Sequence, residues 1–309
     1  MTDDGAGSPL SRRQVLVLMA AAVAGSAGAA QPSPAMIVRA IPSSGETIPA
    51  VGLGTYRAFD VGASGPQREP LREVLRRFVA AGGRVVDSSP MYGAAETVVG
   101  DLAAELGLGG SLFVATKVWT SGREAGIEQM EQSMRRLRVS RLDLMQIHNL
   151  LDWRTHLKTL RDSKEAGRVR YIGITHYTAG AYGELERLMR DERLDFVQLN
   201  YSLAERDAER RLLPLARERG IAVLINRPYA EGALFRPVRG RPLPPWAADL
   251  GCRSWGQVFL KWILGHPAVT SVIPATSQPD HLDDNMQAGV GPLPDTDLRE
   301  RMAAYIQAL

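Results

Sequence analysis

Three short apolar runs, each leading into polar residues, decide the fold of this chain. Residues 84–93 read RVVDSSPMYG, residues 112–117 read LFVATK, and residues 142–148 read LDLMQIH. Helix-like stretches of roughly twenty residues separate the three runs. Four polar side chains stand at or just after the ends of these runs: Asp87, Tyr92, Lys117 and His148. If the runs are parallel strands of one barrel, all four side chains reach the same mouth of that barrel.

The rest of the chain repeats this alternation of strand and helix. Strand-like runs lie at residues 52–55, 84–87, 112–116, 142–147, 169–174, 195–199, 221–225 and 269–273. Helical periodicity fills the intervals 69–81, 94–106, 123–138, 153–166, 178–190, 207–219, 254–264 and 279–288. Eight such units predict parallel pairing and a closed (β/α)8 TIM barrel of the α/β class. An open doubly wound sheet would favour a G-x-G-x-x-G turn after an early strand, which GLGTY at 52–56 does not supply.

A β-hairpin is predicted before the first strand of the barrel. Residues 36–39 and 47–51 flank the sequence SSGE at 43–46, whose glycine suits a tight turn. The fold expected from the sequence is therefore a barrel with an N-terminal hairpin.

Composition excludes several classes of function. The chain has 309 residues, 45% of them hydrophobic, and a net charge of +3, which implies no nucleic acid or other polyanionic partner. Cys252 is the single cysteine, so neither an internal disulfide nor a thiolate metal cluster is possible. The five histidines lack the spacing of metal-binding motifs, and no metal site is expected.

The first thirty residues resemble an export signal. SRRQVL at residues 11–16 has the twin-arginine pattern, and the apolar stretch after it ends in small residues with AGA at 27–29. That stretch is too short to span a bilayer stably, so no stable membrane anchor is expected. The alternatives to an export signal are a disordered tail and an N-terminal membrane anchor. We predict export to the periplasm by the twin-arginine route, and a cytoplasmic location if the signal is misread. The expected division is a signal peptide at 1–30, a linker at 31–36 and a barrel at 37–309.

The four polar residues at the predicted mouth suit the reduction of a carbonyl group. A phenol has a pKa near 10, and a nearby ammonium group favours the phenolate and lowers that pKa. Asp87 would keep Lys117 charged if the pair is buried. His148 would orient the substrate oxygen while Tyr92 protonates it. No side chain supplies hydride, so a nicotinamide cofactor is required.

Each of these four residues also has a purely structural alternative. Asp87 could cap the turn that follows it, and Tyr92 could be an ordinary turn aromatic. Lys117 could be a surface lysine, and His148 could be a hydrogen-bonded core histidine. Four such coincidences on three successive strand ends are less expected than one shared function.

These motifs resemble those of the aldo-keto reductase family. VDSSPMYG at 86–93 followed by Glu96, ATKV at 115–118 and QIHN at 146–149 match the family's aspartate–tyrosine, lysine and histidine segments. The resemblance runs from about residue 40 to 290. It implies that Asp87, Tyr92, Lys117 and His148 form a catalytic tetrad. It further implies reduction of an aldehyde or ketone to an alcohol, with NADP(H) preferred and NAD(H) possible.

The same resemblance implies a set of cofactor-binding residues. Carboxamide ligands of the nicotinamide would be Thr175, His176 and Gln198. Segments facing the nicotinamide and the phosphates would contribute Asn226, Arg227, Pro228, Ala230, Gly232 and Leu234. The adenosine-phosphate motif would contribute Ala275, Thr276, Ser277, His281, Asp284 and Asn285. This chain departs from the family at His176, at Asn226, where an aromatic often stacks, and at Ala275 and His281. The last two positions often hold cations that grip the 2′-phosphate, so the preference for NADPH over NADH is weakened.

The expected partner is a small-molecule carbonyl substrate bound by a monomer. Tyr56, Trp119, Asn149 and the loop at 229–246 would line the pocket, although the two aromatic residues could instead pack within surface loops. A second possible function is a cofactor-binding regulatory or redox-sensing subunit on the same barrel, because potassium-channel β subunits resemble this family. A third, a barrel hydrolase, is disfavoured by the missing metal ligands.

Overall fold

The computed structural model describes residues 1–2, 35–62 and 65–309, and residues 35–62 and 65–309 belong to one compact unit. A hairpin opens this unit: β1 (Val38–Ala40) pairs antiparallel with β2 (Thr47–Pro49). Gly45 in the turn has a φ of 76°, a conformation that glycine adopts without strain. The hairpin predicted from the sequence is present.

Eight parallel strands follow the hairpin. They are β3 (Leu53–Gly54), β4 (Val85–Asp87), β5 (Phe113–Val118), β6 (Leu142–His148), β7 (Val169–Thr175), β8 (Phe196–Asn200), β9 (Ala222–Asn226) and β10 (Ser271–Val272). Each strand pairs with its neighbours in chain order. Hydrogen bonds from Gly54 N to Pro274 O (3.0 Å) and from Gly52 N to Val272 O (2.8 Å) join the first strand to the last. The sheet therefore closes on itself, and the predicted TIM barrel is confirmed.

Helices surround the barrel. In the described part of the chain they are α1 (Arg68–Ala80), α2 (Ala95–Glu105), α3 (Arg123–Leu137), α4 (Trp153–Glu165), α5 (Tyr182–Asp191), α6 (Leu212–Arg219), α7 (Trp246–Asp249), α8 (Trp255–Leu264), α9 (Pro279–Gln287) and α10 (Thr296–Gln307). The apolar face of α1 shows the common design, because Leu71, Leu75 and Phe78 are buried in the core between helices and strands.

The last helix, α10, was not predicted from the sequence. Asp295 caps it by accepting a hydrogen bond from Leu298 N at 2.8 Å. Met302 and Ile306 are buried on its apolar side, and the Arg299 carbonyl accepts a hydrogen bond from Trp262 Nε1 at 3.0 Å. The helix packs beside the barrel without supplying a strand, so the repeating pattern of the barrel gave no sign of it.

The barrel interior is layered from an apolar end to a polar end. Residues two apart on a strand face the same side, so β5 directs Phe113, Ala115 and Lys117 inward in that order. Ile41 and Ile48 of the hairpin region belong to the same buried cluster as Phe113, so this region closes the end where the strands begin. The opposite end is left open for a site.

No helix among the described residues is long and apolar enough to cross a membrane. Residues 3–30 of the predicted export signal and residues 31–34 of the predicted linker lie outside the described residues.

Candidate active site

A buried ion pair lies at the carboxyl ends of β4 and β5. Lys117 Nζ is 2.6 Å from Asp87 Oδ2 and 2.7 Å from the carbonyl oxygen of Ser88. The two charged side chains are 0% and 3% exposed. Burial alone lowers the pKa of Lys117, but the adjacent Asp87 carboxylate and the Tyr92 hydroxyl raise it, and the net direction is upward. The ion pair expected from the sequence is present, and it holds a charged ammonium group inside the barrel.

Two glutamines fix the second oxygen of Asp87. Gln146 Nε2 donates to Asp87 Oδ1 at 3.0 Å, and Gln198 Nε2 donates to the same oxygen at 2.9 Å. The two amides are also joined to each other at 3.2 Å. Gln146 was not predicted to belong to the site. The available signal was a glutamine inside the apolar run of β6, two residues before His148 and hence on the same face of the strand.

Tyr92 lies on the turn after β4, directly above the ion pair. Its ring centroid is 5.0 Å from Lys117 Nζ and 5.0 Å from the ring of Tyr56. Burial raises the pKa of Tyr92, and this effect outweighs the lowering by Lys117. The lower pKa expected from the sequence followed from the ammonium group alone, because burial is not visible in a sequence. Tyr92 is therefore a neutral phenol at physiological pH and has a proton to give.

His148 completes the group from the end of β6. Its ring is nearly perpendicular to that of Tyr92, at 84° with centroids 5.8 Å apart, and its Nδ1 is 2.9 Å from Ser89 Oγ. Burial, then the charges of Lys117 and His176, lower the pKa of His148 to about 2. The imidazole is thus neutral at any physiological pH.

A cavity of about 750 Å³ opens above these side chains, within the range that binds cofactors and drug-sized ligands. Of the individually predicted residues, thirteen line it: Asp87, Tyr92, His148, Asn149, Thr175, Gln198, Asn226, Arg227, Pro228, Gly232, Ala275, Tyr56 and Trp119. Lys117 lies beneath Tyr92 rather than at the surface of the cavity. Tyr229 and Glu231, from the predicted loop at 229–246, also line the cavity, whereas Arg57, Met91 and Tyr177 are lining residues that were not predicted.

The model of the aldo/keto reductase family matches residues 50–306. The chain belongs to this family. The methylglyoxal reductase YeaE of Escherichia coli is 29% identical over 246 residues, which cover 77% of this chain and 84% of that protein. An aldo-keto reductase of Mycobacterium sp. (strain KMS) is 27% identical over 279 residues, covering 86% and 91%. An aldo-keto reductase from Klebsiella pneumoniae, solved in complex with NADPH, shares the fold with a TM-score of 0.73 at 24% identity, covering 88% and 96%.

Several residues that the resemblance assigned to the cofactor lie outside the lining of the cavity in this family member. Leu234 is buried in the core, and Ala230 precedes it in a short 3-10 segment with a φ of 47°. His176 Nδ1 accepts from Tyr177 N at 3.0 Å, and its ring stacks on the ring of that tyrosine. These side chains are positioned by protein contacts of their own.

The predicted adenosine residues gather around the start of α9. Thr276 Oγ1 accepts from Gln278 N at 3.0 Å, while Ser277 is partly exposed and His281 is exposed. Asp284 accepts hydrogen bonds from Ser254 Oγ and Gln257 Nε2, and Asn285 accepts one from the Tyr229 hydroxyl. Of this group, Ala275 alone reaches the cavity lining.

Within the described part of the chain, no group of three or more His, Cys, Asp or Glu side chains is arranged to hold a metal ion.

Proposed function

We propose that this protein reduces an aldehyde or ketone to an alcohol with NADPH, and that Tyr92 protonates the carbonyl oxygen. The observation that carries the proposal is a neutral phenol at the floor of the cavity, beside a buried ammonium–carboxylate pair and a neutral imidazole. Family membership supports it, as does a relative named methylglyoxal reductase. The regulatory alternative has no observation of its own in its favour.

The polar atoms of the cavity fit a nicotinamide nucleotide. Asn149 Oδ1 and Asn226 Oδ1 are enclosed acceptors without a partner, and both residues line the cavity. A buried acceptor of this kind calls for a donor, and a carboxamide N–H₂ group supplies two. Thr175 and Gln198 line the same wall. Bound NADPH would supply the hydride. NADP(H) is preferred on the strength of the family, and NAD(H) remains the second choice because Ala275 and His281 carry no permanent cation.

Each side chain of this site has a distinct role in proton transfer. Tyr92 holds its proton through neutral pH and gives it to the carbonyl oxygen as negative charge develops there. Lys117, held charged by Asp87, stabilises the phenolate that remains. His148, which stays neutral, donates a hydrogen bond that orients the carbonyl oxygen. Gln146 and Gln198 keep the carboxylate in place beneath the lysine.

The test is binding and turnover with purified protein. Titration with NADPH, followed by nucleotide fluorescence, should saturate, and nucleotide oxidation should then depend on an added aldehyde or ketone. Titration with NADH in parallel reports the cofactor preference. Saturable binding without turnover of any carbonyl compound would contradict the reductase and favour a regulatory subunit. Absence of nucleotide binding would contradict both.

We further propose that the protein is exported, already folded, by the twin-arginine route and acts as a monomer in the periplasm. The support is the SRRQVL motif at 11–16 and the apolar stretch that ends in small residues. Residues 1–35 fused to a reporter should reach the periplasm, and replacing both Arg12 and Arg13 by lysine should stop this. Retention of the parent fusion in the cytoplasm would contradict export. Sedimentation of the mature protein should give one monomeric species, and a dimer would contradict that part.

A further inference from the structure

Ser89 contacts His148 on the ring nitrogen that faces away from the cavity. Its Oγ is 2.9 Å from His148 Nδ1, and the serine is fully buried. The other ring nitrogen, Nε2, makes no hydrogen bond within the described chain and is not among the enclosed polar atoms that lack a partner. Since His148 also lines the cavity, Nε2 is the nitrogen that a substrate can reach.

The hydrogen bonds of the Ser89 hydroxyl decide where the imidazole proton sits. A hydroxyl has one hydrogen to donate and two lone pairs that accept. The backbone N–H of Met91 contacts this oxygen at 3.4 Å, as a weak donor. Among the described residues, His148 Nδ1 is the one acceptor within reach of the Ser89 hydrogen. If Nδ1 carried the proton, the serine hydrogen would be buried without an acceptor, which folded proteins avoid.

The backbone around Ser89 keeps this hydroxyl in place. Pro90 follows it, and a residue before proline is restricted to extended conformations. The carbonyl of Ser89 also accepts a hydrogen bond from Tyr92 N at 3.0 Å, so the turn that places the serine also places the tyrosine. The turn therefore fixes the backbone of Ser89, and its hydroxyl contacts His148 Nδ1 and Met91 N from there.

A second buried histidine, His156, contacts the protein through the other ring nitrogen. His156 Nε2 contacts the carbonyl oxygen of Thr120 at 2.7 Å, and its Nδ1 is enclosed without a partner. A carbonyl oxygen only accepts, so it holds the proton on Nε2. That N–H is then used in a hydrogen bond within the protein and is not available to a ligand. At His148 the protein engages Nδ1 instead and leaves Nε2 open to the cavity.

We propose that Ser89 is a positioning residue that fixes the proton of His148 on Nε2, so that this N–H points at the substrate carbonyl oxygen. This inference rests on the proposed function, because the Nε2 proton matters for catalysis only if it orients a substrate carbonyl oxygen. It assigns Ser89 a role that requires a hydroxyl donor at this one position. Alanine would remove that donor, and threonine would restore it.

The test compares the parent with Ser89→Ala, Ser89→Thr and the matched control Ser133→Ala. Ser133 is a fully buried serine on α3 whose hydroxyl has no partner, so its removal reports the general effect of losing a buried hydroxyl. Nitrogen NMR of labelled histidine gives the tautomer of His148 directly, and kinetics and NADPH binding are measured on the same samples. We expect a single Nε2–H tautomer in the parent, Ser89→Thr and the control. In Ser89→Ala we expect mixed tautomers, kcat/KM for the carbonyl about tenfold lower, and unchanged affinity for NADPH.

The proposal and the reductase function fail in distinguishable ways. A parent tautomer with the proton on Nδ1, or an unchanged Nε2–H tautomer in Ser89→Ala, would overturn the proposal even if the protein reduces carbonyls. A tautomer shift in Ser89→Ala without any kinetic change would uphold the assignment of Ser89 and contradict the role given to His148. Because the NMR measurement needs no turnover, it also decides the tautomer if the protein proves not to be a reductase.

Discussion

Each end of the barrel holds an ion pair, but the two pairs differ in their exposure to solvent. At the mouth, Lys117 and Asp87 are 2.6 Å apart, with side chains 0% and 3% exposed. At the hairpin end, Arg170 pairs with Asp143 at 2.7 Å and also with Glu46, and these side chains are between 17% and 28% exposed. Water screens the second pair, whereas the first depends entirely on its partners inside the protein.

The same strands supply both ends. On β5 the inward residues change from Phe113 to Lys117, and on β8 they change from Phe196 to Gln198. At the closed end the rings of Phe113, Tyr171 and Phe196 pack with centroids 5.7 to 6.1 Å apart. Strand direction therefore separates stability at one end from chemistry at the other, as in other barrels of this class.

Removing the lysine at the mouth should have the largest effect. Lys117→Met leaves Asp87 as a buried carboxylate without its counter-charge, which we expect to cost ~3–5 kcal/mol of unfolding free energy. The rate of carbonyl reduction should also fall, by about 10²- to 10⁴-fold, because the phenolate of Tyr92 loses its stabilising charge. Urea unfolding and steady-state kinetics measure the two effects. Adding Asp87→Asn should restore most of the stability and none of the activity, and a single variant as stable as the parent would contradict the account.

Truncating an aromatic side chain at the closed end should affect stability alone. Phe113→Ala leaves a cavity in the aromatic layer and should lower the free energy of unfolding by ~3–5 kcal/mol. The KM for the carbonyl substrate should not change, because Phe113 is separated from the cavity by the layer of Ala115. The check is denaturant unfolding together with KM under folded conditions. A tenfold change in KM in a folded variant would show that the two ends are not independent.

Acid should destabilise the mouth through His148. In the unfolded chain a histidine binds a proton below about pH 6.5, but folded His148 stays neutral down to about pH 2. The unfolded state therefore binds more protons over this window, and the stability of the parent falls as the pH drops, by ~1.4 kcal/mol per pH unit. His148→Gln lacks this contribution, so its stability should fall less steeply between pH 6 and 4. If the free energy of unfolding fell equally steeply with decreasing pH in both proteins, His148 would not be neutral and buried in the folded state.

Breaking the ion pairs at the hairpin end should have the smallest effect. Arg170→Met removes its partly exposed bonds to Glu46 and Asp143 and should cost ~1 kcal/mol or less. Neither kcat nor KM should change. A loss as large as that of Lys117→Met would mean that exposure does not distinguish the two ion pairs.

Much of this architecture could be read from the sequence, because strand and helix periods differ and alternate eight times. The runs ending at Asp87, Lys117 and His148 predicted both the strands and the end of the barrel to which they point. The sequence did not reveal α10, which lies outside the repeating pattern, or Gln146, whose inward direction depends on the register of β6. It also gave the wrong net direction for the pKa of Tyr92, because burial outweighs the nearby charge.

The contacts of Ser89 show a further limit of sequence reasoning. A serine beside a proline in a turn is ordinary, and its importance depends on a 2.9 Å distance to a residue 59 positions away. Such a contact follows from strand order and register together. Conversely, Leu234 and Asp284 were assigned to the cofactor by resemblance, and in the structure each is engaged by protein contacts away from the cavity lining.

In this mechanism the phenol above the buried ion pair gives the proton to the carbonyl oxygen. Tyr92→Phe removes this proton while keeping the ring, so the most direct test is the single-turnover rate of carbonyl reduction with NADPH already bound. We expect unchanged affinity for NADPH and a rate lower by about 10²- to 10⁴-fold. A Tyr92→Phe protein that binds NADPH and reduces the carbonyl at the parent rate would contradict this mechanism.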